Sequence, residues 1–508
     1  MQLLTKRTNT DTMKVKCLTV FLASCLITIS CFCGQQRLLA DNIDAQFVRH
    51  VGAEKPTDTE WKDCCLDIVQ RADACGDTKL ARFIRNWPLP DEVTQVDAQV
   101  IACIDKDTHG PGWLKESSRS LWSAFMLLRK QRAHHFFERA KTEIEKQREL
   151  STRRHLKSSS EAIRLLVRVV REDPNHKLGR RALGYVRDDD QWVWPNAARQ
   201  RAQRKEYSSE NGWTRNGKSI TLPAPQGPSL VPNILSPQST STIELFVSDH
   251  WNIESTAGIA KAGDFAERLE LTRFIWRQVF GGFVMTPAEV NSRINGQARP
   301  RPASSSKAIL LANREEYINN LQSLEPNVGK SLGMYWTPTQ TTWFFDSPDS
   351  DEQTVEHEAT HQLFAECWPT NPVAGNQHGI WAMEAAACYM ESIVKTEFGF
   401  IVGGRNSGRV PAAKERLLTD SFFLPLRKLA KLGRKALQNE PELPKIYSQL
   451  SGLADFFING EHGRYRDAFV EYLVRLYRGT AEHETLWKLC EKSPEELDNA
   501  YKRYLSSQ

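Results

Sequence analysis

The chain has 508 residues, of which 40% are hydrophobic and 25% charged, and it has room for two or three globular domains. Its 67 basic and 62 acidic residues leave a net charge of only +5. Because nucleic-acid binding usually requires a strongly basic surface, we expect no nucleic-acid partner.

A candidate export signal lies near the amino terminus. Lys14 and Lys16 precede an apolar run over residues 17–29, as in the n-region and h-region of a secretory signal peptide. Ala40 offers a small residue for cleavage, so residues 1–40 are predicted to be the signal peptide. The mature protein is then secreted or lies in the periplasm or cell envelope, and an uncleaved anchor is the alternative. The rest of the sequence contains no run of about eighteen apolar residues, so no further membrane span is predicted.

Residues 41–221 are predicted to form a mainly helical domain. Helical periodicity covers much of this range, including a long amphipathic stretch over residues 113–150. Residues 162–185, with Pro174 between two periodic parts, resemble one tetratricopeptide unit. Two interpretations of this segment remain: a plain helical domain, or a repeat that binds a partner. Only the repeat implies a protein partner.

A proline-rich stretch separates this domain from the rest of the chain. Its prolines disfavour helix, so residues 222–240 are predicted to be a linker. Apolar alternation then predicts a strand, helical spacing predicts a helix, and two short apolar runs predict two more strands. These four elements are expected at residues 242–247, 265–280, 307–312 and 341–346.

The sequence His357-Glu358-Ala359-Thr360-His361 forms an H-E-x-x-H motif among apolar residues with helical spacing. Residues four apart lie on one face of a helix, so both imidazoles can bind one metal ion. A catalytic zinc keeps a position open for water and lowers the pKa of that water toward neutrality. The motif predicts one zinc ion per chain, with His357 and His361 as ligands and Glu358 as the general base.

A catalytic zinc site needs a third protein ligand. Cys367, His378 and Glu384 all lie downstream of the motif and have suitable side chains. Glu384 is favoured because it lies in an alanine-rich stretch without glycine or proline, which is predicted to be a helix packed closely on the first. His378 is in a segment better suited to a loop, and Cys367 precedes Trp368 and Pro369 at a helix end. His378 is the main alternative.

The two segments together resemble the gluzincins, metallopeptidases in which H-E-x-x-H is followed by a helix with the pattern W-x-x-E-G-x-x-x-Y-x-E or a near variant. Trp381, Glu384, Tyr389 and Glu391 match this pattern in register. The resemblance implies Glu384 as the third zinc ligand and a peptide or protein as substrate. The chain also resembles exported bacterial proteins in which such a domain follows helical repeats.

Three positions depart from the family pattern. Ala385 replaces the glycine, Met383 replaces the asparagine of aminopeptidase-like members, and Cys388 stands where thermolysin-like members place an aspartate that orients a zinc histidine. Glu391 is the local candidate for that orienting role. The resemblance to aminopeptidase-like members implies that Tyr447 stabilises the oxyanion. A tyrosine packed in a helical core is the alternative for Tyr447, and His462 is a weaker candidate for the oxyanion role.

The predicted fold class is α+β: a mostly helical N-terminal domain, a gluzincin-like metallopeptidase domain with a small mixed sheet and zinc helices over residues 241–400, and a helical C-terminal part over residues 401–508. The predicted function is that of an exported zinc metallopeptidase that hydrolyses peptide bonds through a metal-activated water. The alternative is a catalytically weak or inactive peptidase-like module that binds or assembles partners. Both endopeptidase and aminopeptidase action are compatible with the motif.

Overall fold

The computed structural model describes most of the chain in two compact units. The described residues are 58–87, 94–96, 111–154, 159–202, 205–208, 212–215, 218–219, 243–300, 303–346, 352–396 and 399–507. The smaller unit contains 58–87 and 111–135, and the larger unit contains 94–96 and the described residues from 136 onward. The predicted signal peptide (1–40) and linker (222–240) lie outside the described residues.

The first helices among the described residues are α1 (Asp58–Ala74), α2 (Thr78–Asn86) and α3 (Arg119–Arg154). The side chain of Asp77 caps α2 by accepting the backbone N–H of Leu80 at 3.1 Å. Within the smaller unit, the ring of Phe83 packs against that of Trp122 at a centroid distance of 5.7 Å. A helix was predicted over residues 113–150. It begins at Arg119 instead, because Trp113 still lies in a turn.

The larger unit is mostly helical. Its helices are α4 (Ser160–Glu172), α5 (Lys177–Leu183), α6 (Pro195–Ala202), α7 (Ile259–Val279), α8 (Gly281–Val284), α9 (Pro287–Ile294), α10 (Arg314–Leu321), α11 (Glu352–Glu366), α12 (Ile380–Met390), α13 (Val410–Leu418), α14 (Leu426–Leu429), α15 (Arg434–Gln438), α16 (Leu443–Gly463), α17 (Arg466–Arg478), α18 (Thr485–Cys490) and α19 (Pro494–Ser506). Across the described ranges, none of these helices has the length and apolar character needed to cross a membrane.

The described strands of the larger unit form four small sheets. Three sheets join β1 (Thr94–Val96) to β13 (Gly399–Val402) and β12 (Val394–Thr396), β2 (Val186–Asp188) to β3 (Gln191–Val193), and β4 (Lys205–Ser208) to β5 (Gly212–Arg215) and β6 (Lys218–Ser219). The fourth contains β7 (Glu244–Val247), β8 (Trp251–Ser255), β9 (Ser306–Leu311), β10 (Met334–Trp336) and β11 (Thr341–Phe345). Mostly helical structure with a small mixed sheet confirms the coarse α+β class.

The five-stranded sheet has the order β10-β11-β9-β8-β7. Strand β9 is parallel to both β8 and β11, whereas β10 and β7 are antiparallel edge strands. Side chains alternate across the sheet, so Leu310 and Phe344 face a large core, while Ile309 and Trp343 face a smaller core with α10. Both faces of the sheet are thus buried in a core. This explains why the strands that were predicted from apolar runs are almost wholly apolar.

Helix α11, which carries the H-E-x-x-H motif, packs on the sheet and against α7 and α12. Ala359, Leu363 and Phe364 are its buried apolar residues and belong to the large core. Every residue of α12 is buried, and its alanines allow close contact with both α11 and α16. This packing brings side chains of α11, α12 and α16 to one place.

Candidate metal centre

The two motif histidines and Glu384 converge on one point. The Nε2 atoms of His357 and His361 are 3.2 Å apart, and the Oε2 atom of Glu384 is 3.3 Å from the first and 3.5 Å from the second. Ligand atoms bound tetrahedrally at about 2.0–2.2 Å from a zinc ion are separated by roughly 3.3–3.5 Å. The donor set and its spacing therefore fit a zinc ion.

Glu384 is a buried carboxylate on α12 that requires compensating partners. Burial by itself raises the pKa of Glu384, but His361 and His357 outweigh burial and hold that pKa well below its usual value. Glu384 is therefore ionised, which is the form in which a carboxylate binds a metal ion.

Glu391 orients the first histidine. Its Oε1 atom lies 2.6 Å from Nδ1 of His357, and its Oε2 atom accepts a hydrogen bond from Nε of Arg409 at 2.6 Å. Burial opposes the charge of Glu391, but His357 and Arg409 lower its pKa below the usual value. An ionised Glu391 accepts a hydrogen bond from Nδ1–H of His357, which leaves Nε2, the atom near Glu384 and His361, as the ring nitrogen that can bind a metal ion.

Cys388, at the position where thermolysin-like proteins place an orienting aspartate, is fully buried. It forms a second potential ligand group with His357 and Glu391, in which the ligand atoms lie within 4.8 Å of one another. Burial raises the pKa of the Cys388 thiol to about 11. The thiol is therefore protonated at neutral pH, and Glu391 supplies the carboxylate beside His357.

Glu358 is directed toward the sheet. Its Oε2 atom accepts the backbone N–H of Tyr335 at 2.8 Å, and Tyr335 lies in the edge strand β10. The predicted general base is thus held between the candidate metal centre and β10, the edge strand of the described sheet. Sequence reasoning did not find Tyr335, because its contribution comes from the backbone and has no side-chain signal.

Tyr447 lies at the centre rather than in the helical core. Its hydroxyl donates a hydrogen bond to Oε2 of Glu384 at 3.1 Å. Burial, followed by the charge of Glu384, raises the pKa of Tyr447 well above its usual value. The hydroxyl therefore remains a donor at neutral pH.

The other candidate ligands are not brought to this point. The two potential ligand groups found among the described residues include neither His378 nor Cys367. Cys367 is exposed and donates to the carbonyl of Phe364. His462, the weaker candidate for the oxyanion role, is exposed near the end of α16, where its backbone is left-handed with a φ of 60°.

No protein-family model, curated protein or solved structure matches the chain. The chemistry must therefore be inferred from the residues of the centre. Two imidazoles and one carboxylate are a ligand set that catalytic zinc uses, with one further position open to solvent or substrate.

Proposed function

We propose that the protein is an exported, zinc-dependent peptidase of the gluzincin type. The observation that carries this proposal is the approach of His357, His361 and Glu384 to within 3.5 Å of one another through their ligand atoms. These three side chains hold the metal ion. Export rests on the apolar run at residues 17–29 alone, and fractionation of producing cells tests it separately.

When bound, zinc polarises a carbonyl group and lowers the pKa of water. Glu358 accepts a proton from water and donates it to the leaving amine. Tyr447 donates its hydroxyl to the oxyanion that forms when the carbonyl is attacked. Glu391 keeps His357 in the tautomer whose Nε2 atom is a ligand.

The sheet edge beside Glu358 supports a peptide as substrate. Strand β10 is an edge strand of the described sheet, and Met334, Tyr335 and Trp336 are half-buried. An extended peptide can pair with such an edge strand through its backbone, using groups other than the N–H of Tyr335, which Glu358 accepts. The scissile bond is then delivered next to the residue that accepts the proton.

A peptidase-like module without turnover is the alternative. It is motivated by Cys388, which replaces the orienting aspartate of thermolysin-like proteins. The contact of 2.6 Å between Glu391 and His357 supports the hydrolase instead, because a carboxylate is present at the histidine that needs one.

The variant Glu358→Gln tests the hydrolase. Purified wild-type protein is expected to carry about one zinc ion per chain and to cleave members of a peptide library, with activity lost on adding a chelator. Glu358→Gln should keep the zinc ion and lose cleavage, because an amide cannot accept the proton.

Glu366→Gln is the matched control on the same helix. Burial raises the pKa of Glu366, its carboxylate accepts a hydrogen bond from Gln362 at 3.0 Å, and it belongs to neither potential ligand group. This variant should retain both zinc and cleavage. Wild-type protein without zinc, or cleavage that survives in Glu358→Gln, contradicts the proposed function.

A further inference from the structure

A small cavity in the larger unit, about 40 Å³ in volume, is not part of the candidate metal centre. It is lined by α7, by the start of α6 and by the segments that precede β8 and β9, and none of the residues proposed to bind zinc lines it. Two arginines, one histidine and one glutamate bring charge or hydrogen-bonding capacity to its wall: Arg273, Arg277, His250 and Glu270.

Arg273 and Arg277 lie one turn apart on α7, so like charges are placed side by side. The Nε atoms of both are buried and without a hydrogen-bond partner. Among the residues that the structure describes, no carboxylate forms a salt bridge with either guanidinium group, although the charge of Glu270 acts on Arg273 from a greater distance. Burial, followed by the charges of Arg273 and Arg293, lowers the pKa of Arg277 to about 9. The wall therefore carries positive charge that an anion would compensate.

Glu270, the acid in the cavity wall, is already engaged. Its Oε1 atom accepts the backbone N–H of His250 and the hydroxyl of Ser248, both at 2.6 Å, and its Oε2 atom lies 2.6 Å from Nδ1 of His250. Burial lowers the pKa of His250, which is therefore neutral near pH 7. With its Nδ1 hydrogen donated to Glu270, His250 presents Nε2 as an acceptor.

The rest of the wall is held by ring stacking and hydrogen bonds. The ring of Trp194 stacks on Tyr185 at 4.1 Å, and the guanidinium of Arg277 lies 5.2 Å from the centre of the Trp194 ring. The buried amide of Asn196 donates to the carbonyl of Asp249 at 2.8 Å and accepts the backbone N–H of Ala303 at 2.9 Å. The cavity is thus preorganised, which reduces the entropy lost on binding.

We propose that this cavity binds a phosphate group, either as inorganic phosphate or as a phosphomonoester. Two guanidinium groups match an anion with several acceptor oxygens. The acceptor Nε2 of His250 matches the P–OH of a monoprotonated phosphate, which a carboxylate lacks at neutral pH. Trp194 and Phe274 supply an aromatic wall for the alcohol part of an ester.

Titration calorimetry on the full-length protein at constant ionic strength tests the proposal with inorganic phosphate, phenyl phosphate and benzoate. We expect one site for phosphate and about tenfold weaker binding of benzoate. Tighter binding of phenyl phosphate than of inorganic phosphate indicates a phosphomonoester, and equal binding indicates free phosphate. No heat with either phosphate, or benzoate binding as tightly as phenyl phosphate, overturns the proposal.

Arg273→Gln separates ligand binding from a structural role. Because Arg273 has no described hydrogen-bond or ion-pair partner, the variant should fold and its Tm without phosphate should equal or exceed that of the wild type. Its affinity for phosphate should fall about tenfold or more. Arg277→Gln, which changes the arginine one helical turn away, should lower the phosphate affinity in the same way.

Arg427→Gln is the control, since Arg427 is an exposed arginine that pairs with Glu495 at 2.9 Å. Its phosphate affinity should match that of the wild type, which excludes a general effect of net charge. Phosphate affinity unchanged in both Arg273→Gln and Arg277→Gln shows that the arginines have another role and overturns the site. Zinc content and peptide cleavage do not enter these measurements, so this proposal and the peptidase can fail independently.

Discussion

Glu391 contacts His357 from the side opposite the proposed zinc ion. Glu391→Gln keeps the size of this side chain but removes the negative charge that holds His357 and Arg409. We expect zinc affinity, measured by competition with a chromogenic chelator, to fall about 10- to 100-fold. Glu366→Gln should bind zinc as the wild type does, and equal affinity in Glu391→Gln would exclude the orienting role.

Tyr447 can act on the oxyanion or on the ligand that it contacts, and kinetics distinguish the two roles. If its hydroxyl stabilises the transition state, Tyr447→Phe should lower kcat about 100-fold or more, with KM and zinc affinity nearly unchanged. If it positions Glu384, which is 3.1 Å away, zinc affinity and kcat should fall together. Tyr465→Phe, whose hydroxyl contacts Glu461, is the control.

The sequence allowed the three converging residues to be proposed because each has a spacing signal. His357 and His361 are four apart on one helix, and Glu384 lies on a helix whose alanines imply close packing. Arg409 and the backbone N–H of Tyr335 could not be predicted. Their approach depends on loop conformation and sheet register, which no local pattern encodes.

At the scale of elements, the side chain of Gln362 anchors α11 to three strands. Its Oε1 atom accepts hydrogen bonds from Nε1 of Trp251 and the hydroxyl of Thr342, both at 3.0 Å, and its Nε2 atom donates to the carbonyl of Lys307 at 2.9 Å. Gln362→Leu leaves these buried groups without their partner. The free energy of unfolding should fall by about 3 kcal/mol, measured by urea denaturation.

Gln353→Leu is the matched control for that substitution, because Gln353 lies on the same helix but is exposed. Its effect should stay within about 0.5 kcal/mol. Equal destabilisation by the two variants would mean that the loss reflects helix propensity rather than the anchor on the sheet.

Element type was more predictable than element pairing. Apolar runs located β9 and β11 to within one residue at each end, because both strands are buried on two faces. The hairpin of β2 and β3 was not predicted from the sequence, because it follows helix α5, which ends before the helical periodicity does. Helix α5 stops at Leu183, where Gly184 adopts a φ of 96°. A left-handed glycine ends a helix whatever the periodicity around it.

At the scale of the whole molecule, stability should depend on pH through Asp467. Its carboxylate accepts the side-chain amide of Gln147 at 2.9 Å and the backbone N–H of Glu161 at 3.2 Å, joining α17 to α3 and α4. Burial, followed by the charges of Glu161 and Glu143, raises the pKa of Asp467 to about 7. In the unfolded chain this carboxyl titrates near its usual value, about 3.9.

The sign of the effect follows from proton binding. Between about pH 4 and pH 7 the folded protein holds the proton on Asp467 and the unfolded chain does not, so stability falls as the pH rises through this range. Asp467→Asn cannot titrate, yet its amide oxygen can still accept the N–H of Glu161. The difference in unfolding free energy between the wild type and Asp467→Asn should therefore decrease by on the order of 2–4 kcal/mol when the pH rises from 4 to 7, to the disadvantage of the wild type. Urea denaturation at a series of pH values measures this difference.

Asp190→Asn, which changes an exposed aspartate, is the control and should keep the pH profile of the wild type. If the profile of Asp467→Asn runs parallel to that of the wild type, the pH dependence belongs to other carboxyl groups.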